Sequence, residues 1–255
     1  MLNGNINDSP LNILQAGNLF VFAVNNPVMW IDPSGFVIEL AGTSTIQQTI
    51  LSYLQKLTDH QLGINSYGHV YISVHAARDM SNLFTYGNAL IERLIASEHV
   101  VRVHLMSSGG NYIRVDCVMN ASIVGVGSGS RVGFNRLADP YITTLDSAGL
   151  AVLTRRPAHI GLAHELIHAE RNMRGERIAW DQVGTITLET ARAGFSPARM
   201  FGSSTRTITH TFQLEEMATI GINYFTANCI TENMIRREHG LPIRASQVSS
   251  LRNFP

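Results

Sequence analysis

The stretch from Pro157 to Gly175, PAHIGLAHELIHAERNMRG, decides how the rest of the sequence is interpreted. Leu162, Leu166 and Ile167 recur at helical spacing and Gly175 is a suitable C-cap, so the stretch predicts a helix over residues 158–174. Within it His164-Glu165-Leu166-Ile167-His168 forms an H-E-x-x-H motif. Histidines four residues apart lie on one helical face, so both imidazoles can reach one ion. The motif predicts a zinc site, with Glu165 placed to take a proton from a water there.

A catalytic zinc site needs a third protein ligand, and two acidic positions downstream compete for that role. Glu189, in TLETARAG, lies at about the distance at which thermolysin-like enzymes place their ligand glutamate. The second position is the Glu215-Glu216 pair, within FQLEEMATIG. Spacing alone leaves the choice open.

The two motifs together resemble the clostridial neurotoxin light chains, in which HELIHA and a glycine precede E-E-x-x-T-x-G. The resemblance implies that Glu216 is the third zinc ligand and that Glu215 orients the ligands around the ion. In that family an arginine and a tyrosine from a late segment stabilise the oxyanion. The residues here that could match that role are Tyr224, Arg236, Arg237 and Arg244.

The end of the chain extends the resemblance to another family. ITENMIRREHGLPIR, taken with HELIHA and the glutamate pair, resembles the NleD-like effector metallopeptidases and their toxin-domain relatives. This resemblance covers residues 133–244. It implies a zinc metallopeptidase that acts on a protein of a target cell.

The first 36 residues differ in composition from the rest and are rich in Asn, Pro and Gly. NLFVFAVNNPVMWIDPSG resembles the last motif of the RHS-repeat core, which is followed directly by a variable toxin domain. We therefore expect residues 1–36 to be a short β-rich arm from the end of an RHS shell, and residues 37–255 to be the peptidase domain. The alternative is a flexible N-terminal arm. The matching residues are Asn18, Leu19, Asn25, Asn26, Pro27, Asp32, Pro33, Ser34 and Gly35.

Composition restricts the function classes. The 255 residues carry a formal net charge of zero and only 15% are charged, so we expect neither nucleic acid nor a charged membrane surface as the partner. We expect no membrane span and no signal peptide, because no apolar run is long enough and the start lacks a basic region. The two cysteines are too few for a disulfide framework.

The remaining periodicity predicts an α+β fold of the zincin type, a mixed twisted sheet packed on helices that include the active-site helix. Helices are expected over residues 43–62, 82–97, 213–222 and 231–240, and strands over residues 69–74, 100–106 and 111–119, the last two joined by a Ser-Ser-Gly-Gly turn. The glycine-rich residues 122–135 match no phosphate-loop motif and predict a loop and a strand. Residues 180–212 are expected to contribute cleft loops. Glu170 and Arg174 are expected to pair on the outer helix face.

The sequence thus predicts a zinc-dependent endopeptidase delivered into a target cell as a toxin. A cognate immunity protein is an expected partner, as is the RHS shell upstream. One alternative is a non-catalytic protein-binding domain in which zinc is structural or absent. Another is a zinc hydrolase with a non-peptide substrate, because metal-activated water also attacks other carbonyls.

Overall fold

The structure, a computed structural model, describes residues 38–77, 84–191, 205–223 and 229–247. The arm predicted over residues 1–36 lies outside this range. Its separation from a domain at residues 37–255 stays a prediction. Among the described residues, no helix is both long enough and apolar enough to cross a membrane.

Strands account for most of the secondary-structure elements. In chain order they are β1 (Ile38–Leu40), β2 (Gln61–Ile64), β3 (Val70–Val74), β4 (Val101–Leu105), β5 (Tyr112–Val115), β6 (Ser130–Phe134), β7 (Tyr141–Leu145), β8 (Ala151–Arg155), β9 (Val183–Ala191) and β10 (Thr205–Gln213). Two further residue ranges, Gln55–Leu57 and Asn120–Ser122, form short 3-10 helices.

Five α-helices complete the described part of the chain: α1 (Ser44–Leu54), α2 (Thr85–Ile95), α3 (Ala158–Arg174), α4 (Leu214–Ile220) and α5 (Glu232–Glu238). The helix predicted over residues 158–174 therefore has the expected bounds. Gly175 ends it with a φ of 73°, and a Cβ there would lie 1.8 Å from the Ile123 carbonyl oxygen. Only glycine satisfies both conditions.

The main sheet has four strands in the order β1-β4-β6-β5. Strands β1, β4 and β6 are parallel to one another, and the edge strand β5 pairs antiparallel with β6. The fold is therefore a mixed α+β fold, as predicted. Side chains alternate across the sheet. Val103 and Val132 are fully buried on one face, whereas the register row of Arg102, Arg131 and Arg114 is exposed on the other.

Helix α3 lies at the centre of the domain. All residues from 160 to 173 are buried, and the apolar ones join a core with side chains of α1, α2 and the main sheet. Glu170 is only 2% exposed, so the predicted Glu170–Arg174 pair (2.8 Å) does not lie on an outer face. The expectation was wrong because α3 is surrounded by other elements. Glu170 also accepts a hydrogen bond from Arg93 (3.1 Å).

Three other sequence predictions need correction. The helix expected to reach residue 62 ends at Leu54, because Thr58 Oγ1 and Asp59 N both donate to Asn88 Oδ1 and turn the chain towards β2. Strands β4 and β5 do not pair, because β6 lies between them. The strand expected over residues 111–119 ends at Val115, because the Cys117 N–H donates to the Ser128 side chain and Asn120–Ser122 form a 3-10 helix.

Residues 180–212 were expected to be mixed and to include cleft loops. Their described part includes β9, which pairs in register with β10 as a long antiparallel ribbon.

Candidate metal centre

The two motif histidines lie four residues apart in the middle of α3 and point at one carboxylate. His164 Nε2 is 3.1 Å from Glu216 Oε2, and His168 Nε2 is 3.3 Å from Glu216 Oε1. Glu216 is in the first turn of α4, 48 positions beyond His168 in the sequence. These three residues form a buried group whose ligand-type atoms lie within 4.8 Å of one another.

The other ring nitrogen of each histidine is bound to a different carboxylate. His164 Nδ1 is 2.9 Å from Glu232 Oε2 on α5, and His168 Nδ1 is 3.0 Å from Glu215 Oε1 on α4. A carboxylate accepts and does not donate, so each Nδ1 carries a proton. Each Nε2 faces a Glu216 oxygen, so by the same rule it also donates while no ion is bound. Zinc would take the place of the Nε2 proton, and the Nδ1 proton would stay on its glutamate.

Electrostatics in this buried cluster favour the protonated imidazoles in the metal-free protein, so zinc binding would release protons. Burial opposes protonation of His168, but hydrogen bonds to Glu215 and Glu216 outweigh it and raise its pKa to about 10. Burial likewise opposes protonation of His164, and bonds to Glu216 and Glu232 raise its pKa. Burial raises the pKa of Glu216, but the two histidines lower it to a value well below the usual range.

Both supporting glutamates are themselves held by arginines. Glu215 accepts from Arg171 Nε (3.3 Å) and from the backbone N–H of Ile178 (2.8 Å). Glu232 is fully buried and accepts from Arg244 Nη1 (2.6 Å) and Arg236 Nη1 (3.5 Å). Each carboxylate therefore has a fixed orientation when it holds its histidine.

The donor set suits zinc. Two imidazole Nε2 atoms and one carboxylate are typical ligands of a catalytic zinc ion, and each imidazole has the carboxylate partner at Nδ1 that such ligands usually have. His164, His168 and Glu216 would therefore hold the ion. Their role as metal ligands stays a prediction.

The histidines open into a cleft of about 740 Å³, a size typical of ligand sites. Glu165 lines it beside them, as do Trp180 and Arg177. Strand β5 and residues 140–142 form further parts of the wall. The cleft is lined by Gly110, Asn111, Tyr112, Ile113, Arg114, Val115, Pro140, Tyr141, Ile142, Arg156, His164, Glu165, His168, Asn172, Arg177, Trp180, Glu215, Glu216, Arg244 and Gln247.

The other predicted site residues lie in different places. Glu189 is exposed on β9, opposite Thr207, and is not part of the His164–His168–Glu216 group. Arg237 is exposed, and Arg236 is buried with its Nε donating to the Pro242 carbonyl oxygen; neither lines the cleft. Arg244 does line it, whereas Tyr224 lies outside the described residues.

Sequence reasoning missed three residues that face or support the site. Glu232 is 68 residues from His164, and no local spacing signal links the two. Arg156 and Asn111 both line the cleft, the first just before α3 and the second just before β5. Neither belongs to a motif, so only the tertiary structure identifies them.

A second group of metal-type side chains is found in the described part of the chain: His60, His75 and Glu92. His60 Nδ1 accepts a hydrogen bond from the Ala76 backbone N–H (2.8 Å). The proton of a neutral His60 is therefore on Nε2, which is 3.0 Å from Glu92 Oε1. That tautomer has no free Nε2 lone pair, so this group suits a metal ion less well than the buried group on α3.

No protein-family model and no curated protein sequence matches the chain. Solved structures that resemble it are botulinum neurotoxin light chains. The type D light chain is 19% identical over 47% of this chain and 26% of its own, with a TM-score of 0.25. The zinc-removed apo form of the type C light chain is 14% identical over 67% of this chain and 39% of its own, with a TM-score of 0.29.

The serotype HA light chain is 12% identical over 72% of this chain and 35% of its own, with a TM-score of 0.27. The chain thus spans about a quarter to two fifths of these light chains. TM-scores this low support no conclusion about function.

Proposed function

We propose that this chain is a zinc-dependent endopeptidase. The observation that supports this best is the pair of imidazole Nε2 atoms directed at the Glu216 carboxylate, with each Nδ1 held by a separate buried glutamate. A histidine pair that served only for packing would not need two dedicated carboxylates beside an open cleft.

The mechanism assigns a proton-transfer role to Glu165. When bound, zinc supplies Lewis-acid polarisation and lowers the pKa of a water to about 7. Glu165, on the next position of α3 after His164, lines the same cleft and is placed to accept the proton of the attacking water. It then returns that proton to the leaving amine, so that the peptide bond breaks without a free amide anion.

Of the three arginines considered for oxyanion stabilisation, Arg244 is the one that lines the cleft. Its guanidinium lines the cleft and is held by Glu232 (2.6 Å) and by the Ser246 carbonyl oxygen (3.0 Å). A positive charge fixed in this way needs little reorganisation when negative charge develops on the substrate carbonyl oxygen. We assign this role to Arg244 and leave Arg236 as a support for Glu232.

The wall of the cleft favours a peptide over other carbonyl substrates. Strand β5 is at one end of the four-stranded sheet, and its four residues line the cleft together with Gly110 and Asn111. Asp116 N donates to Gly129 O on the β6 side, so by alternation the backbone groups of Ile113 and Val115 point away from β6. An extended peptide can pair with such an open edge.

The first test is the metal content of the purified protein, compared with that of His168→Ala. We expect about one zinc per chain in the wild type and loss of that zinc in the variant. His60→Ala is the matched control and should keep the zinc. Absence of zinc from the wild type after reconstitution would refute the proposal.

Activity is then tested with Glu165→Gln on a library of peptides, read by mass spectrometry. The variant should bind zinc as the wild type does and leave the peptides uncut. If the metal proves structural, metal-free protein should unfold and the wild type should cut nothing, which would favour a non-catalytic binding domain.

We also propose, from the sequence resemblance, that the peptidase is the toxin domain of a delivered effector. Residues 1–36 would then be the end of an RHS shell, residues 37–255 the peptidase, and an immunity protein in the producing cell its inhibitor. Expression of the wild type in a susceptible cell should arrest growth, whereas Glu165→Gln should not. Equal effects of the two proteins would refute this role.

A further inference from the structure

Two buried nitrogen donors in the cleft wall have no hydrogen-bond partner among the residues that the structure describes. They are Arg156 Nε and Asn111 Nδ2. Arg156 is 8% exposed and lines the cleft, yet within the described ranges its guanidinium forms no ion pair. The carboxylates of Glu165, Glu216 and Glu232 act on its charge from beyond ion-pair distance. A buried N–H without an acceptor still destabilises the folded protein, and a ligand carboxylate would supply that acceptor.

The orientation of Asn111 is fixed by its neighbours. Its Oδ1 accepts a hydrogen bond from the backbone N–H of Asn135 (2.8 Å), and only the oxygen of the amide can accept. Asn135 is held in turn, because its Nδ2 donates to the Gly109 carbonyl oxygen and its Oδ1 accepts from the Leu137 N–H. The Asn111 Nδ2 group is therefore the end of the amide that has no partner among the described residues.

Asn111 Nδ2 and the terminal part of the Arg156 guanidinium, its Nη2, lie over one glycine in the first turns of α3. A Cβ on Gly161 would be 2.6 Å from Asn111 Nδ2 and 3.1 Å from Arg156 Nη2. Gly161 is one helical turn before His164 and Glu165, so the two donors are close to the position of the scissile bond. The bare helix surface at Gly161 is what allows them to converge.

We propose that Asn111 and Arg156 bind a carboxylate of the peptide substrate, that of an aspartate or glutamate side chain close to the scissile bond. The inference rests on the proposed endopeptidase function and adds a substrate preference to it. A guanidinium and an amide present N–H groups that match the oxygens of a carboxylate. The name carboxylate pocket is used below for Asn111, Arg156 and Gly161.

The charges around the carboxylate pocket favour a monoanion. Glu165, Glu216 and Glu232 are the carboxylates whose charges act on Arg156, so at this position a phosphate group with nearly two negative charges would be repelled more strongly than a carboxylate. The pocket therefore selects acidic residues in preference to phosphorylated ones.

The test compares the peptides cut by the wild type with those cut by Arg156→Met, Asn111→Ala and Gly161→Ala. Arg155→Met is the matched control, because Arg155 is the adjacent arginine but is exposed and paired with Asp139 on the surface. All peptides carry amidated C-termini, which removes the α-carboxylate as an alternative source of the anion. Zinc content and thermal unfolding are measured first for every protein.

The wild type and Arg155→Met should prefer Asp or Glu at one fixed position near the cut, over Asn or Gln, by about ten- to hundredfold in kcat/KM. The three pocket variants should keep their zinc and their folded state and lose most of that preference. Gly161→Ala is informative because it keeps both polar side chains, while its methyl group, 2.6 Å from Asn111 Nδ2, displaces that donor from the pocket. A wild type that cuts peptides without an acidic preference would overturn the inference and leave the endopeptidase function intact.

A binding measurement separates this inference from catalysis. The arginine Nε–H resonances of the wild type are followed by NMR during titration with N-acetylglutamate methylamide, its glutamine analogue, N-acetylalanine and inorganic phosphate. The resonance that Arg156→Met removes should shift with the glutamate compound alone. A shift with all four probes, with phosphate or N-acetylalanine only, or with none would overturn it. If the wild type cuts no peptide at all, the proposed function fails and the substrate preference fails with it.

Discussion

The two sides of the cleft differ in whether their buried polar groups have hydrogen-bond partners. On the side of α4 and α5, the ring nitrogens of His164 and His168 all have partners, and the supporting Glu215 and Glu232 are bound by arginines. On the side of β5, Arg156 Nε and Asn111 Nδ2 have none. Buried polar groups are normally paired. The first side meets this condition within the protein, and zinc would replace only the protons between the two Nε2 atoms and Glu216, whereas the second side meets it only with a ligand.

The two sides of the cleft therefore have different proposed roles, catalysis on the paired side and substrate recognition on the unpaired side. A fully paired network fixes the positions of groups that must not move during a reaction. An unpaired buried donor destabilises the free protein. A substrate that supplies the acceptor removes this cost and therefore binds more tightly than one that does not. The predictions that follow test the two sides separately.

The largest effect on catalysis is expected for Glu165, the proposed general base. Glu165→Gln should lower kcat by about a hundred- to ten-thousandfold, because the amide cannot take the proton of the attacking water. Steady-state cleavage of a library-derived peptide measures this. Zinc content should not change, and a variant that cleaves at the wild-type rate would show that another group is the base.

Substitutions on the paired side should also lower the free energy of unfolding. Glu232→Ala removes the partner of Arg244, Arg236 and His164 and leaves buried cations uncompensated, so we expect a loss of about 3–5 kcal/mol in the free energy of unfolding. Urea unfolding of metal-free protein measures it. Glu92→Gln, at a half-exposed pair with His60, is the control and should cost less than about 1 kcal/mol.

A substitution with a smaller effect on the same side tests metal affinity. Glu215→Gln keeps the shape of the side chain but replaces the acceptor that orients His168, and zinc affinity should fall about ten- to hundredfold. Competition with a chelator of known affinity measures the change. Equal affinities in wild type and variant would mean that Glu215 contributes only to packing.

The unpaired side should respond in the opposite direction. Arg156→Met replaces a buried, unpaired cation with an apolar side chain of similar length, so the free energy of unfolding should stay the same or increase. The urea experiment used for Glu232→Ala measures it under the same conditions. A loss as large as that of Glu232→Ala would show that Arg156 is a structural residue.

The smallest effect concerns pH and lies at the start of α3. Burial, together with the charges of His239 and Lys56, lowers the pKa of His159 to about 4. The unfolded chain therefore binds the proton more tightly, so this contribution to stability is complete above about pH 6.5 and is lost as the pH falls towards 4. His159→Phe should flatten this part of the pH profile of metal-free protein, measured by urea unfolding, and an unchanged profile would contradict the assignment.

Much of the local structure was predictable from the sequence. The bounds of α3 followed from its apolar spacing and Gly175, and Thr231 begins α5 as predicted, with its Oγ1 accepting from the Met234 N–H (3.3 Å). These signals act between residues a few positions apart, so the sequence contains them directly. The end of α1 was missed because hydrogen bonds to the distant Asn88 determine it.

The sequence by itself determined that two histidines and Glu165 lie on one helix, because four-residue spacing and helical geometry require no other part of the chain. Only the tertiary structure decided which carboxylates those histidines meet. Glu216 and Glu232 come from separate helices far along the chain, and Glu170, which the sequence assigns to an outer face, is buried. It also decided that Arg156 and Asn111 lack partners, because burial and pairing depend on every element that packs around a side chain and no local pattern records them.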